Sequence, residues 1–401
     1  MKPFFKIISL IISVTLSTSL MAQWTTVGNA GFSGGISSAT SIALDGNGTP
    51  YVVYLEQNPK GKGNATTISV MKYGGSSWSF VGAESFSSSQ SNHPSIAIAP
   101  DNSPYVAFSD GDYSNKVTVM KFNGSTWEIV GAAGFSAGYA YNTTIAINAV
   151  GIPYVAYPDN SQSKKATVMK YNGIHWVNVG LPGFTAGEAI SPDLALDVNS
   201  IPYVVFEDHH TNHYATVMEY NSTTTAWDTV GVTGFSDGQI TSPKIAFNNA
   251  NVPYVVYHDL NQFGKSTVKM FNGSTWENVG SPGFSGGIVS SPDIAIDGNG
   301  MPYVMYVDES NSKKPSVMKF KNSTWSFVGT QFLTDTTVGF TSIAIDGYGS
   351  PFVVFEDWSH SRKSTVMKND VRPVPLSDWA IYFGLFLVLI FLGYRFRRIV
   401  A

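Results

Sequence analysis

Apolar residues in the interior of the chain fall in short runs, and the runs return at intervals of 49 to 54 residues. No run has the length or spacing of a helix. Pro-Tyr/Phe-Val occurs seven times, at Pro50, Pro104, Pro153, Pro202, Pro253, Pro302 and Pro351. Trp-x-x-Val-Gly also occurs seven times, at Trp24, Trp78, Trp127, Trp176, Trp227, Trp276 and Trp325. A third landmark, Thr/Ser-Val followed by Met or Lys, recurs at Val70, Val119, Val168, Val217, Val268, Val317 and Val366.

Each unit reads as four short strands. Strand A is of the Ser-Ile-Ala-Ile-Asp type (residues 41–45, 293–297, 342–346), strand B is Pro-Tyr-Val-Val-Tyr, strand C is Thr-Val-Met-Lys-Tyr and strand D is Trp-x-x-Val-Gly. β-Branched and aromatic residues dominate all four. Strand B is apolar at consecutive positions, as expected when both faces of a sheet are covered. The connections agree with this. A and B are joined by a tight Asp-Gly-Asn-Gly turn (45–48, 297–300), and C and D by an Asn-Gly hairpin at Asn123, Asn172 and Asn272, where positive φ is tolerated. The B–C hairpin is longer, and the D–A segment, of the Gly-Phe-Ser-x-Gly type, is the longest.

A four-stranded antiparallel unit of this size is a propeller blade: radial packing covers both faces of each sheet and leaves only short edges. The interior begins with an orphan strand D at Trp24 and finishes with A, B and C at 342–368. The expected fold is therefore an all-β, seven-bladed β-propeller of four-stranded antiparallel blades over 23–369, with the N-terminal strand completing the last blade. The Asp-x-x-Gly-x-Pro-Tyr-Val run (45–52) resembles those of bacterial seven-bladed propeller families of the NHL, kelch and SBBP kind, a resemblance of architecture that implies no single function.

The ends carry targeting patterns. Lys2 and Lys6 precede an apolar stretch from Ile7 to Met21, and Ala22 offers a small residue for cleavage, so 1–22 reads as a secretory signal peptide, with an uncleaved anchor as the alternative. After a linker at 370–378, residues 379–394 are apolar and uncharged, and Arg395, Arg397 and Arg398 follow. Sixteen residues span about 24 Å as a helix, and interfacial Trp379 and Tyr394 extend the reach toward a bilayer core of about 30 Å. The expectation is a C-terminal transmembrane helix with a basic cytoplasmic tail at 395–401, and a propeller held outside the cytoplasm. The Val374-Pro375-Leu376-Ser377-Asp378-Trp379-Ala380 stretch, the apolar helix and Arg-Phe-Arg-Arg resemble a bacterial exosortase sorting signal of the PEP-CTERM type. The second Pro and the Glu of that motif are absent. The resemblance implies a cell-envelope protein and a sorting enzyme as partner; a permanent single-pass membrane anchor is the other reading.

Composition narrows the function. Aromatic residues make up 13% of the chain, and 38 Gly with 20 Pro among 401 residues stay below a low-complexity bias, so the chain is globular. The absence of Cys removes disulfides, thiolate metal sites and Cys nucleophiles. Residues 24–369 carry 26 Asp and Glu against 18 Lys and Arg, a net charge of about −8 that argues against nucleic acid and anionic membrane surfaces as partners.

Residues that recur in every blade are first of all structural. An acid stands six positions after each strand-B Pro: Glu56, Asp110, Asp159, Asp208, Asp259, Asp308 and Asp357. Six positions later stands Lys62, Lys116, Lys165, Lys265, Lys314 or Lys363, with Tyr214 as the exception, which predicts ion pairs across the mouths of the B–C hairpins. The strand-D Trp residues and the loop Phe residues (Phe32, Phe86, Phe135, Phe184, Phe235, Phe284) predict packing between blades rather than sugar platforms. Asp-Gly-Asn-Gly lacks the distal acid of a calcium loop.

Function is expected where blades depart from their own pattern, on the face that gathers the long B–C and D–A loops, here called the top. The largest departure is Glu207-Asp208-His209-His210-Thr211-Asn212-His213, in which Asp208, His209, His210 and His213 are candidate ligands for a divalent metal. Ligand-binding candidates on the same face are His93, Tyr139, Tyr141, His258, Trp358, His360 and Arg362. Residues 24–369 contain one Arg, too few for a sialidase-like carboxylate clamp, and no Gly-x-Ser-x-Gly, P-loop or His-Glu-x-x-His motif occurs. No catalytic residue and no cofactor beyond that metal is assigned. The reading is a non-catalytic binding or scaffold propeller with a glycan or protein ligand. The alternatives are a propeller-fold glycoside hydrolase or polysaccharide lyase, and a purely structural surface component.

Overall fold

The computed structural model describes residues 23–57, 65–87, 90–371 and 386–387. The signal-peptide reading (1–22), Lys62, the sorting motif and nearly all of 379–394 lie outside the described residues. Among those described, no helix is long and apolar enough to cross a membrane. The chain divides into two units, Met1–Asp370 and Val371–Ala401.

The first unit is a β-propeller of seven four-stranded antiparallel sheets. Blade four shows the repeat: Ala189–Leu196, Pro202–Asp208, Tyr214–Asn221 and Ala226–Thr229 as strands A to D. In blade seven, Val338–Ile345, Pro351–Asp357 and Lys363–Asn369 are joined by the N-terminal Trp24–Thr26, with Trp24 opposite Asn369 and Thr26 opposite Met367. The ring is thus closed as its ends predict.

The strand-B runs are buried on both faces because each blade presses on two neighbours. Val52, Val106, Val155, Val204, Val255, Val304 and Val353 have no exposed surface, and the apolar clusters each draw on two adjacent blades. Outer strands are tied by the Trp residues. Each of the seven indoles donates to a Val carbonyl of the preceding blade at 2.6–2.8 Å, from Trp24 to Val328 and from Trp78 to Val27 through Trp325 to Val279. The six loop Phe residues stack on Trp78, Trp127, Trp176, Trp227, Trp276 and Trp325 with ring centres 4.0–4.3 Å apart. Leu333 takes the Phe position beside Trp24.

Among the described residues, four of the predicted ion pairs across the B–C loops do not form. Asp159 and Lys165 stand opposite each other in register, yet the carboxylate turns inward. It accepts from Ser161 N at 2.9 Å and from the Thr167 hydroxyl at 3.3 Å. Asp208, Asp259 and Asp357 repeat both bonds, and each caps a one-turn 3₁₀ helix. The hydroxyl in turn accepts from the linker amide of Gly183, Gly234, Gly283 or Gly31. Linker, strand C and B–C loop are thereby joined through one buried acid. Among the described residues no ion pair joins Asp159 to Lys165, Asp259 to Lys265, Asp308 to Lys314 or Asp357 to Lys363, and Lys314 reaches Asp335 instead. A desolvated carboxylate gains more from donors already fixed by the backbone than from a Lys that must give up rotamer freedom.

The seven A strands form the inner ring. A bulge in strand A puts a residue in the left-handed region in six blades, including His93 (φ 50°), Ser191 (φ 48°) and Phe340 (φ 44°), and in blade three Asn142 (φ 46°) does so just ahead of the strand. Just below the bulge, Asp193 and Asp293 accept the backbone N–H of Ile245 and Ile343 in the next blades, both at 3.0 Å, and Lys244 reaches Asp193 at 3.0 Å.

Candidate functional site

The register places the B–C loops and the D–A linkers at the same end of every sheet, so the top face is as the sequence predicts. Five of the seven linkers pass over their neighbours at glycine. A Cβ on Gly134 would lie 2.5 Å from the Tyr113 side chain, and one on Gly138 would lie 2.5 Å from Ser161 N. The linker thus packs directly on the B–C loops of blades two and three.

The structure sorts the candidate residues into separate groups. Trp358, Arg362 and a residue the sequence reading did not single out, Glu356, form one group in blade seven. Glu356 is 2% exposed, and its two oxygens accept from Arg362 Nε at 2.6 Å and Trp358 Nε1 at 3.4 Å. The guanidinium lies 5.4 Å from the Trp358 ring centre, yet the Trp remains 53% exposed. A large aromatic surface is thus fixed at the top of the molecule by a buried carboxylate and a cation. His360 does not join it. Its Nδ1 is 2.9 Å from Asp357 Oδ2, and Gly31 packs against its Cβ, so it belongs to the capped loop.

His93, Tyr139 and Tyr141 come together across blades two and three. The Tyr rings meet edge to face at 4.9 Å, and His93 lies 6.3 Å from Tyr141. Burial pulls the His93 imidazole below its ordinary range. The Tyr139 hydroxyl raises the Tyr141 phenol. Lys164 stands beside both and pairs with Glu188 at 3.1 Å, which raises its ammonium. His258 stands apart. Its Nδ1 is 3.0 Å from the Thr241 hydroxyl, its Nε2 is buried without a hydrogen-bond partner among the described residues, and burial lowers its pKa.

The four proposed metal ligands of blade four do not gather. Asp208 is committed to His210 N and the Thr216 hydroxyl, both at 2.9 Å, and His210 packs on Gly187. Among the described residues no three His, Asp or Glu side chains form a group that could hold a metal ion. What blade four does contain is the blade-seven arrangement in another chemistry. Glu207, His209 and His213 occupy the positions of Glu356, Trp358 and Arg362. Glu207 Oε1 lies 2.7 Å from His213 Nδ1, and the His209 and His213 rings meet edge to face at 5.0 Å. Burial raises the Glu207 carboxyl, and His213 opposes that rise. The sequence signal for both acids is a Phe-Glu-Asp ending of strand B, found in these two blades, with a His or Arg six residues after the Glu.

A groove of about 760 Å³ lies at the opposite, turn-bearing end, between blades five and six. Tyr254, Met270, Met301 and Phe320 are among its apolar lining residues, and Asn278 and Lys321 among its polar ones. Blade five alone reverses the strand-C Met-Lys order, which puts Met270 opposite Tyr254 and sends Lys269 to Asp237 at 3.2 Å.

No family model matches the chain, and no curated protein matches it in sequence. Among solved structures it is similar to a protein of unknown function from Dyadobacter fermentans, at 10% identity over 87% of this chain and 98% of that one, with a TM-score of 0.48. It is also similar to the Aleuria aurantia lectin in complex with Fucα1-6GlcNAc (13% identity, 76% and 98% covered, TM-score 0.46). A third is the Trypanosoma rangeli sialidase in complex with sialic acid (12% identity, 84% and 54% covered, TM-score 0.44). Likeness at this level carries no functional argument. The class, a seven-bladed β-propeller, rests on the strand pairing of this chain.

Proposed function

We propose that this propeller is a non-catalytic binding protein that holds a glycan on its top face, and that it is displayed outside the cytoplasm of a bacterial cell. The observation that carries the reading is the exposed Trp358 indole, braced by Arg362 and Glu356. A sugar ring presents C–H groups on one face and hydroxyls around its edge. An indole fixed in place stacks against the first at little entropic cost, and a half-exposed guanidinium supplies donors to the second. The acids of the B–C loops support binding rather than glycoside cleavage, because Asp159, Asp208, Asp259 and Asp357 are spent on hydrogen bonds within the fold. Export and anchoring rest on the N-terminal and C-terminal sequence patterns.

A glycan array followed by calorimetry on the best binder tests the site. Trp358→Ala should weaken affinity at least tenfold while the melting temperature stays within about 2 °C. Undiminished binding in that variant, or polysaccharide cleavage abolished by Glu356→Gln, would sink the reading. Cell fractionation and mass analysis of the C-terminus test the anchoring, with a soluble cytoplasmic chain as the outcome against it.

A further inference from the structure

We infer that blade four carries a surface site for a single borderline divalent ion such as Zn²⁺ or Ni²⁺, built from two imidazoles, those of His209 and His213, with water completing the coordination. The argument begins at Glu207, whose carboxylate lies 2.7 Å from Nδ1 of His213. A carboxylate at Nδ1 fixes the tautomer that carries its proton there. The Nε2 lone pair is then left for a metal, and the imidazole becomes more basic, an arrangement common behind metal-bound histidines. Glu207 is itself held: it is 7% exposed, at the end of strand B. His213 follows the αL cap residue Asn212 and has φ 68°, which turns the chain back so that its ring reaches His209, four residues earlier.

The two rings already lie 5.0 Å apart at 80°. Tetrahedral coordination at Zn–N distances near 2.0 Å requires the two donor nitrogens to be about 3.3 Å apart. His209 is exposed, and no hydrogen bond among the described residues holds its ring, so side-chain rotation alone can bring it in. Glu188 of the preceding linker also acts on Glu207 electrostatically but is already paired with Lys164, so Glu207 is the carboxylate that favours a cation here. Asp208 and His210 take no part, because the first is buried as a loop cap and the second packs on the linker.

The test is calorimetric titration of the full chain with ZnCl₂ alone, repeated with NiCl₂. The expected result is one equivalent bound. His209→Ala and His213→Ala should each lose at least tenfold in affinity, Glu207→Gln should weaken it about 10–100-fold, and His210→Ala should leave it unchanged. Glu207→Gln keeps the shape of the buried side chain, so it separates ligand orientation from misfolding, and far-UV circular dichroism checks every variant. The inference is overturned if no saturable equivalent binds, if His209→Ala and His213→Ala bind as the parent does, or if His210→Ala abolishes binding.

Discussion

Trp24 Nε1 donates to the carbonyl of Val328 at 2.6 Å, a bond between residues 304 positions apart that repeats, at the seam of the ring, the link made inside every other blade junction. The seam therefore keeps the hydrogen bond of the other six junctions, with Leu333 in place of their stacked Phe. It differs in topology: the strand that carries Trp24 is the first of the propeller, so its loss frees an end.

Trp24→Phe removes the N–H and keeps most of the packing, and it should cost about 1 kcal/mol. Trp24→Ala should cost about 3–5 kcal/mol. Amide exchange in Lys363–Asn369 should then speed up more than exchange in Tyr214–Asn221, because blade seven loses its outer strand. Uniform exchange across both segments would show that the seam does not limit opening.

The buried cap acids give a second prediction. Asp159→Ala strands Ser161 N and the Thr167 hydroxyl and should destabilise by about 1–3 kcal/mol. Lys165→Ala should stay within about 0.5 kcal/mol. Equal losses in chemical denaturation would restore the ion-pair interpretation of the Asp-x5-Lys pattern.

Arg362→Ala leaves Glu356 buried beside Trp358 without its cation. Because Arg362 is itself 40% exposed, the expected loss is about 1–3 kcal/mol rather than that of a fully buried pair. Arg362→Lys should recover only part, since an ammonium cannot both reach Glu356 and lie flat on the indole. Thermal melts of the three proteins check this, and full recovery by Lys would mean that only charge matters.

His258 provides a pH test. Its folded-state pKa lies below its unfolded value near 6.5, so the unfolded chain binds the proton more readily. Its contribution to stability is present above pH 6.5 and is lost as pH falls below that value. His258→Val, which installs the residue that blade six carries at Val307, should flatten the fall in melting temperature between pH 7.5 and pH 5. An unchanged slope would place the acid sensitivity elsewhere.

Much of this molecule is legible from local pattern. Strand B reads as doubly buried, the Asn-Gly turns as hairpins and the Gly-Phe-Ser segments as crossings, because each depends on a few neighbouring residues and on the twofold alternation of a strand. The loop Phe and strand-D Trp residues stack between blades, as their recurrence predicts. The roles of the charged residues are not legible in that way. Spacing places Lys165 opposite Asp159, and it does so in the register, but the carboxylate answers to the Thr167 hydroxyl and the Ser161 amide, which spacing does not weigh.

The candidate site divides in the same way. The sequence points to Trp358, Arg362 and the His-rich loop as departures from the repeat, but gives no role to Glu356 or to Glu207 at the head of that loop, because an acid beside a recurring cap Asp reads as part of the strand-B ending. The number of blades and their strand order were determined by the sequence itself, since repetition states each of them, and closure followed from the one strand D that stands ahead of the first full unit. Tertiary structure alone decided which acids serve as caps, which brace an aromatic or an imidazole, and which reach across the inner ring, as Asp193 and Asp293 do. The last of these depends on donors about fifty residues away, which only radial packing brings within a hydrogen bond, whereas the caps and braces are chosen by how the folded B–C loop aims donors two to eight residues away.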